Sequence, residues 1–132
     1  DHQATGQLVR QSVFLSGLEN RNPGLDPWRP HRVLYYMAHT AFRPALIVDI
    51  GEQFERKNAA ALCYASQFFA AESEERESYI ARPEFWSWWE GKARHWGEVI
   101  GASYGEPLCA DGPSATRDPA ALFGDHVRYR NT

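Results

Sequence analysis

The side chains that could bind a metal or transfer a proton are scattered along this sequence of 132 residues. A catalytic zinc ion needs three protein ligands and one open coordination position. No two of the histidines lie three or four residues apart, and no Cys-x-x-Cys occurs. Local spacing therefore does not predict a complete metal site. The histidines and cysteines are His2, His31, His39, His95, His126, Cys63 and Cys109.

Two other groups of residues have both a functional and a structural interpretation. Arg32 follows His31 at the start of an apolar run and could bind an anion, although a solvated arginine at a strand end fits the spacing equally well. Trp86, Trp88 and Trp89 could form a sugar-stacking platform, but an aromatic seam on a helix is more often core or subunit interface. No nucleophile-elbow pattern supports a hydrolase triad, so spacing alone identifies no catalytic residue in this chain.

Composition and charge exclude several classes of partner. The net charge is −3 and no basic cluster occurs, so the sequence lacks the electrostatic footprint of a protein that binds nucleic acid or an anionic membrane. No apolar run approaches the roughly 20 residues that span a bilayer. Cys63 and Cys109 are far apart, and Cys63 lies near the apolar side of a helical pattern, which favours a reduced packing thiol over a disulfide. These features predict a soluble protein of a reducing compartment, the cytoplasm.

The elements that must position these residues are predicted from hydrophobic periodicity. We expect one domain, or part of one, in which helices and strands form an α/β layer. The pattern predicts a helix over 4–17, strands over 33–37 and 46–50, a helix over 51–69, a surface connection over 70–82, a helix over 83–100, and a loop-like region from 104 with a docking segment at 120–123. The first helix is expected to bury one stripe, Leu8, Leu15 and Leu18 with Val9 and Val13 beside them. The last helix is expected to bury Phe85, Trp89, Trp96 and Ile100.

Several short motifs occur in a defined order along the chain. They are Asp1-His2-Gln3-Ala4, Pro30-His31-Arg32-Val33 with Tyr35-Tyr36, Leu46-Ile47-Val48-Asp49-Ile50, residues 61–68 with Tyr64, Ser66 and Gln67, Arg82-Pro83-Glu84-Phe85, Ala93-Arg94-His95-Trp96-Gly97 and Tyr104-Gly105-Glu106-Pro107. In this order they resemble the C-terminal portion of the LmbE-like zinc-dependent N-acetylglucosaminyl deacetylases, and most of all the branch that serves bacillithiol biosynthesis. The first motif is similar to the second half of that family's His-Pro-Asp-His segment.

The resemblance implies a Rossmann-like layered α/β fold of which this chain is the C-terminal part, assembled into homo-oligomers. It implies a zinc cofactor, Zn2+, with His2 as one of three metal ligands. The other two ligands and the general base belong to an upstream segment, so no catalytic residue is carried over onto this chain. Arg32 is implied to contact the substrate, and its planar donor fork suits a carboxylate such as malate.

The function implied by the resemblance is hydrolytic N-deacetylation of an N-acetylglucosamine conjugate such as N-acetylglucosaminyl malate. The enzyme would be a metal-dependent amide hydrolase that is active only with the upstream segment, and its partner a small sugar conjugate, not nucleic acid or membrane. The competing interpretation is a non-catalytic remnant that binds a partner or assembles through its Trp-rich helix. In either case we expect Trp86 or Trp88 to remain exposed in an isolated chain.

Overall fold

The computed structural model describes residues 1–21, 24–68, 79–113, 115–119 and 121, with Ala65 and Ser66 described by their backbone only. Three expected features lie wholly or mostly outside these residues: the connection at 70–82, the segment at 120–123 apart from Ala121, and His126. The elements are α1 (His2–Ser16), β1 (Leu34–Tyr36), β2 (Leu46–Asp49), α2 (Phe54–Leu62), α3 (Ala65–Phe68), a 3-10 helix (Tyr79–Ala81), α4 (Glu84–Ile100) and β3 (Gly105–Ala110). The expected mixed α/β class is confirmed.

The chain divides into two compact units. The first unit comprises Asp1–Ala45 and Leu108–Ala115, and the second comprises Leu46–Pro107 and Thr116–Thr132. Each unit thus contains one half of β3, and the three strands hydrogen-bond in the order β1-β3-β2. Within the described residues, no helix is long and apolar enough to cross a membrane.

Strand β3 corrects the expectation of a loop from residue 104. In the first unit β1 runs antiparallel to the second half of β3, with Tyr35 opposite Cys109. Pro107 had favoured a loop because proline cannot donate to a strand ladder. The ladder to β1 begins one residue later, at Leu108, so the missing N–H of Pro107 interrupts none of its bonds.

The stripe expected to be buried on α1 is not buried, since none of the residues of this helix is buried. Leu8 is 64% exposed, whereas Gly6 and Val13 are half-buried. The side of α1 that faces β1 is the one carrying Thr5, Gly6 and Val9. Of the expected stripe, Val13 and Leu15 are half-buried and Val9 lines the cavity with β1, whereas Leu8 and Leu18 are exposed.

The core of the second unit is built where α2 and α4 meet β2. Ile50, Phe54 and Ala93 are buried together, with Trp89 and Tyr104 packed against them. Phe54 is 2% exposed, and its ring stacks on that of Tyr104 at 3.8 Å between centroids. This cluster anchors the helices of the second unit.

Helix α4 has the limits that the sequence predicted. Pro83 occupies the N-cap position, and Gly101 ends the helix in the left-handed conformation with φ of 76°, which glycine adopts without strain. Phe85 and Ile100 are buried, as expected. Trp88 is 47% exposed, which confirms that a large ring of this helix remains uncovered.

The helix expected over 51–69 is shorter and interrupted. Gly51 does not begin it; its N–H donates to Asp49 Oδ1 at 2.8 Å in a turn, and α2 starts at Phe54. The helix ends at Leu62, and α3 follows as a single turn. Cys63 lies at this break and is exposed with a free thiol, so its expected role as a packing residue is wrong. Phe69 lies outside the described residues.

Candidate functional site: the cavity at His2

A cavity of about 210 Å³ lies in the first unit between the start of α1 and β1. Its wall is apolar apart from a few polar groups. His2 is exposed at the first position of α1 and contributes to this wall. The lining residues are His2, Thr5, Gly6, Val9, Val33, Leu34, Tyr35, Tyr36 and Ala38.

The imidazole of His2 is held by two rings. Its Nδ1 lies 3.3 Å from the hydroxyl oxygen of Tyr36, and the two rings meet edge to face at 6.4 Å. The ring of His39 meets it at 5.6 Å with an angle of 66° between the planes. When Nδ1 carries the single proton of the neutral ring and donates it to the Tyr36 oxygen, Nε2 keeps its lone pair for an exogenous group.

The hydroxyls of Tyr35 and Tyr36, which both line the cavity, make different contacts. The hydroxyl of Tyr36 reaches His2 on α1, while that of Tyr35 donates to Asp111 Oδ2 at 2.9 Å. Partial burial, followed by this bond, raises the pKa of Tyr35 above its ordinary value. Asp111 also lies 3.4 Å from the guanidinium of Arg10 on α1. The pair is exposed and contributes little stability.

Arg32 is exposed, and two of its donors are engaged by backbone. One terminal nitrogen donates to the carbonyl of His31 at 2.8 Å and the other to the carbonyl of Ala115 at 3.1 Å. The side chain thus joins the segment before β1 to the one after β3. A guanidinium has five N–H donors, so these two bonds leave others for a ligand.

The remaining described sequence candidates are not among the residues that line this cavity. His95 is on α4 in the second unit, with its ring 4.9 Å from that of Trp96. Trp86 is half-buried, at 5.0 Å from the ring of Phe68. Trp88 stacks on Tyr79 at 5.1 Å. These contacts are consistent with the packing role expected for this helix.

The donors present do not by themselves make a zinc site. Among the described residues, no group of three or more His, Cys, Asp or Glu side chains could hold a metal ion. His2 and His39 bring two imidazoles near each other, whereas catalytic zinc takes three protein ligands. The cavity therefore fits zinc only if further ligands join His2.

A second polar cluster joins α2, α4 and β3 within the second unit. Lys57 pairs with Glu106 at 2.6 Å and lies over the ring of Trp89 at 5.0 Å. The indole N–H of Trp89 donates to Asn58 at 2.8 Å. Burial, followed by the charge of Lys57, lowers the pKa of Lys92 below its ordinary value. The cluster connects α2, α4 and β3.

Sequence reasoning missed Tyr36 and His39 as neighbours of His2. They lie on or just after β1, far along the chain from the start of α1. Only the approach of α1 to β1 brings the three rings together. The pair Tyr35-Tyr36 was noted as part of a motif, and its alternation along a strand was the one local signal that one hydroxyl would face α1.

Comparisons with known proteins place the fold. The sequence matches no family model and no curated protein. The structure is similar to that of the conserved protein TT1542 from Thermus thermophilus, with a TM-score of 0.71 and 26% identity, covering 86% of this chain and 47% of that chain. It is also similar to GalB, the 4-carboxy-2-hydroxymuconate hydratase from Pseudomonas putida, with a TM-score of 0.60 and 19% identity, covering 85% and 46% of the two chains.

These likenesses concern the fold and about half of each solved chain. The identity to the hydratase is low enough that the similarity shows the fold alone. This chain spans about half the length of both proteins. The chain therefore shares a mixed α/β fold with part of each of them.

Proposed function

We propose that this chain is the C-terminal part of a zinc-dependent deacetylase of an N-acetylglucosamine conjugate, with a Rossmann-like fold and a cytoplasmic location. The observation that carries the proposal is the place of His2, which stands exposed at a cavity with Nδ1 against the hydroxyl of Tyr36. The ordered motifs along the sequence support the same activity.

His2 would bind the metal through Nε2. Metal-binding imidazoles are usually oriented by a hydrogen bond from their other nitrogen, and Tyr36 is placed to accept one from Nδ1. Zinc, when bound, polarises an amide carbonyl and lowers the pKa of bound water toward about 7. Further ligands and a general base would come from a segment outside these 132 residues. The apolar wall around His2 would exclude bulk water from one side of the substrate.

The test of the metal assignment is made on the polypeptide encoded by the complete reading frame. His2→Ala should lose stoichiometric zinc, measured by plasma mass spectrometry, and with it acetate release from N-acetylglucosaminyl malate. His95→Ala is the matched control because its ring lies on α4 against Trp96, and it should retain both. Stoichiometric zinc in the His2→Ala protein would contradict the assignment.

Arg32 would bind the carboxylate of the conjugate. Its planar fork can make two parallel bonds that a lysine cannot reproduce, so Arg32→Lys should lower kcat/KM by about tenfold, or ~1.4 kcal/mol. Arg29→Lys is the control, since the guanidinium of Arg29 also bonds a backbone carbonyl, that of Phe14. Equal kcat/KM in the two variants would leave Arg32 a purely structural residue.

A second candidate function is a non-catalytic assembly module, and the exposed ring of Trp88 favours it. Covering one such ring removes on the order of 1.5–3 kcal/mol of apolar exposure. In sedimentation, Trp88→Ser should form a smaller oligomer than the wild type if α4 carries a homo-oligomer contact. An unchanged oligomer that has lost affinity for the sugar conjugate would instead make Trp88 a stacking platform.

A further inference from the structure

The face of α1 that carries His2 has a glycine in the wall of the cavity. Gly6 lies four residues after His2 and three before Val9, so the three residues are neighbours on one side of the helix. Gly6 is half-buried, yet a Cβ on it would meet no described atom within 4 Å apart from its own helix and neighbours. A side chain at position 6 would therefore have open space to occupy beside His2.

The lining of the cavity favours a hydrocarbon group as its occupant. The hydroxyl of Tyr35 donates to Asp111 and that of Tyr36 lies against His2, so both hydroxyls are engaged within the protein. Burying a polar group without a compensating hydrogen bond is costly. Apart from Thr5, the other side chains of the lining are hydrocarbon and belong to Val9, Val33, Leu34 and Ala38.

The volume of the cavity limits the occupant to part of a ligand. Pockets that enclose a whole small molecule usually measure about 300–1,000 Å³, whereas this cavity measures about 210 Å³. An engineered apolar cavity of about 150 Å³ binds benzene. The space beside His2 therefore fits one hydrocarbon substituent of about that size, and the single methyl group of an acetyl substituent would leave most of it empty.

We infer that the cavity takes the acyl chain of the substrate, and that the substrates are N-acylglucosamine conjugates with short chains longer than acetyl, such as butyryl. The inference rests on the proposed function, in which the amide is held beside His2. An amide carbonyl is flanked by the acyl chain and by the sugar amine, and the sugar carries hydroxyls that an apolar wall disfavours. Water still adds across the C–N bond and releases a carboxylic acid and the free amine, so chain length changes binding and not the reaction.

The test compares N-acetyl-, N-propionyl- and N-butyrylglucosaminyl malate as substrates of the polypeptide encoded by the complete reading frame. Each added methylene that enters the cavity should raise kcat/KM by about fourfold. Gly6→Leu should lower the ratio of kcat/KM for the butyryl conjugate to that for the acetyl conjugate by about tenfold or more, because the new side chain fills the cavity. Leucine is also a better helix former than glycine.

Gly91→Leu is the matched control and should keep the wild-type ratio. A Cβ on Gly91 also meets no described atom within 4 Å apart from its own helix and neighbours, but Gly91 lies on α4 in the second unit. Equal kcat/KM for the three conjugates in the wild type, or equal ratios in the two variants, would overturn the inference and leave the deacetylase activity in place. Hydrolysis of none of the conjugates would overturn the proposed function and the inference with it.

Benzene binding measures access to the cavity without turnover. In methyl NMR spectra of the same polypeptide, saturating benzene should shift the signals of Val9 and Val33 in the wild type and in Gly91→Leu, but not in Gly6→Leu. Unshifted signals in the wild type would mean that no apolar group enters the cavity. That result, or equal shifts in all three proteins, would overturn the inference even if the longer conjugates were hydrolysed faster.

Discussion

Two glycines of α4 provide a matched pair of substitutions with opposite expected effects. A Cβ on Gly97 would lie 2.7 Å from the backbone nitrogen of Tyr104 and 2.8 Å from the carbonyl oxygen of Ala102. A Cβ on Gly91 would have no described atom within 4 Å apart from its own helix and neighbours. We therefore expect Gly97→Ala to destabilise the protein and Gly91→Ala to stabilise it.

The change in stability of each variant has a backbone contribution and a steric contribution, and the backbone contribution is the same for both variants. Replacing glycine by alanine inside a helix gains roughly 0.5–1 kcal/mol at either position. At Gly97 the methyl group meets backbone, which cannot rotate away as a side chain would, and overpacking of this kind costs about 1–3 kcal/mol. The difference between the two variants is therefore the steric term alone. At about 4 °C per kcal/mol for a chain of this size, the two Tm values should differ by roughly 4–12 °C.

The assay is thermal and urea unfolding followed by circular dichroism and by the fluorescence of the five tryptophans. Both variants should keep the urea m-value of the wild type, since neither changes the surface exposed on unfolding. If Gly97→Ala were as stable as Gly91→Ala, the close approach of α4 to the segment that leads into β3 would be wrong. The packing of the second unit described above would then need revision.

Three further predictions test the core, a half-buried charge and the hydrogen bond of the candidate ligand. Phe54→Ala should destabilise the protein by about 3–5 kcal/mol in urea unfolding, because a fully buried ring leaves a cavity. The pKa of Lys92 is lowered in the folded protein, so protonation of this side chain opposes folding. Its unfavourable contribution to the free energy of unfolding is absent above the ordinary pKa of 10.5 and grows as pH falls toward the folded-state pKa. Lys92→Met should therefore raise Tm at neutral pH, and this gain should disappear at alkaline pH. Tyr36→Phe should change the ¹⁵N shift of His2 Nδ1, whereas Tyr35→Phe should not.

The outcomes that would contradict these predictions are distinct. A Phe54→Ala protein within about 1 kcal/mol of the wild type would mean that the stacked ring is not a core element. A Lys92→Met gain that is the same at neutral and alkaline pH would exclude the charge as its source. Equal ¹⁵N shifts in the wild type and Tyr36→Phe would mean that the Tyr36 hydroxyl does not bond His2.

The limits of α4 and the presence of β1 and β2 follow largely from local sequence. Pro83 and Gly101 set the limits of α4 through backbone preferences that need no tertiary contact. The apolar spacing within α4 correctly predicted that Phe85 and Ile100 are buried. The runs before and after residue 40 predicted β1 and β2 because β-branched and aromatic residues favour a half-buried strand.

Other features were decided by tertiary structure alone. Pro107 indicates a loop by its own chemistry, and only the register of β3 against β1, beginning at Leu108, makes a strand possible there. The apolar spacing of α1 predicts a stripe that includes Leu8 and Val9, yet Val9 lines the cavity with β1 while Leu8 is largely exposed. Periodicity reports that a helix has an apolar side, but it does not report which residues of that side another element covers.

The same distinction applies to the candidate site. The sequence singled out His2 through a motif, and it singled out Arg32 at the start of a strand. It did not indicate that the imidazole of His2 would meet Tyr36 and His39, because these contacts join residues that are distant along the chain. Helix and strand propensities act over a few neighbouring residues, whereas a binding site is assembled by packing between elements. For this protein, sequence identifies the elements and the residue types, and the approach of α1 to β1 decides which side chains can act together.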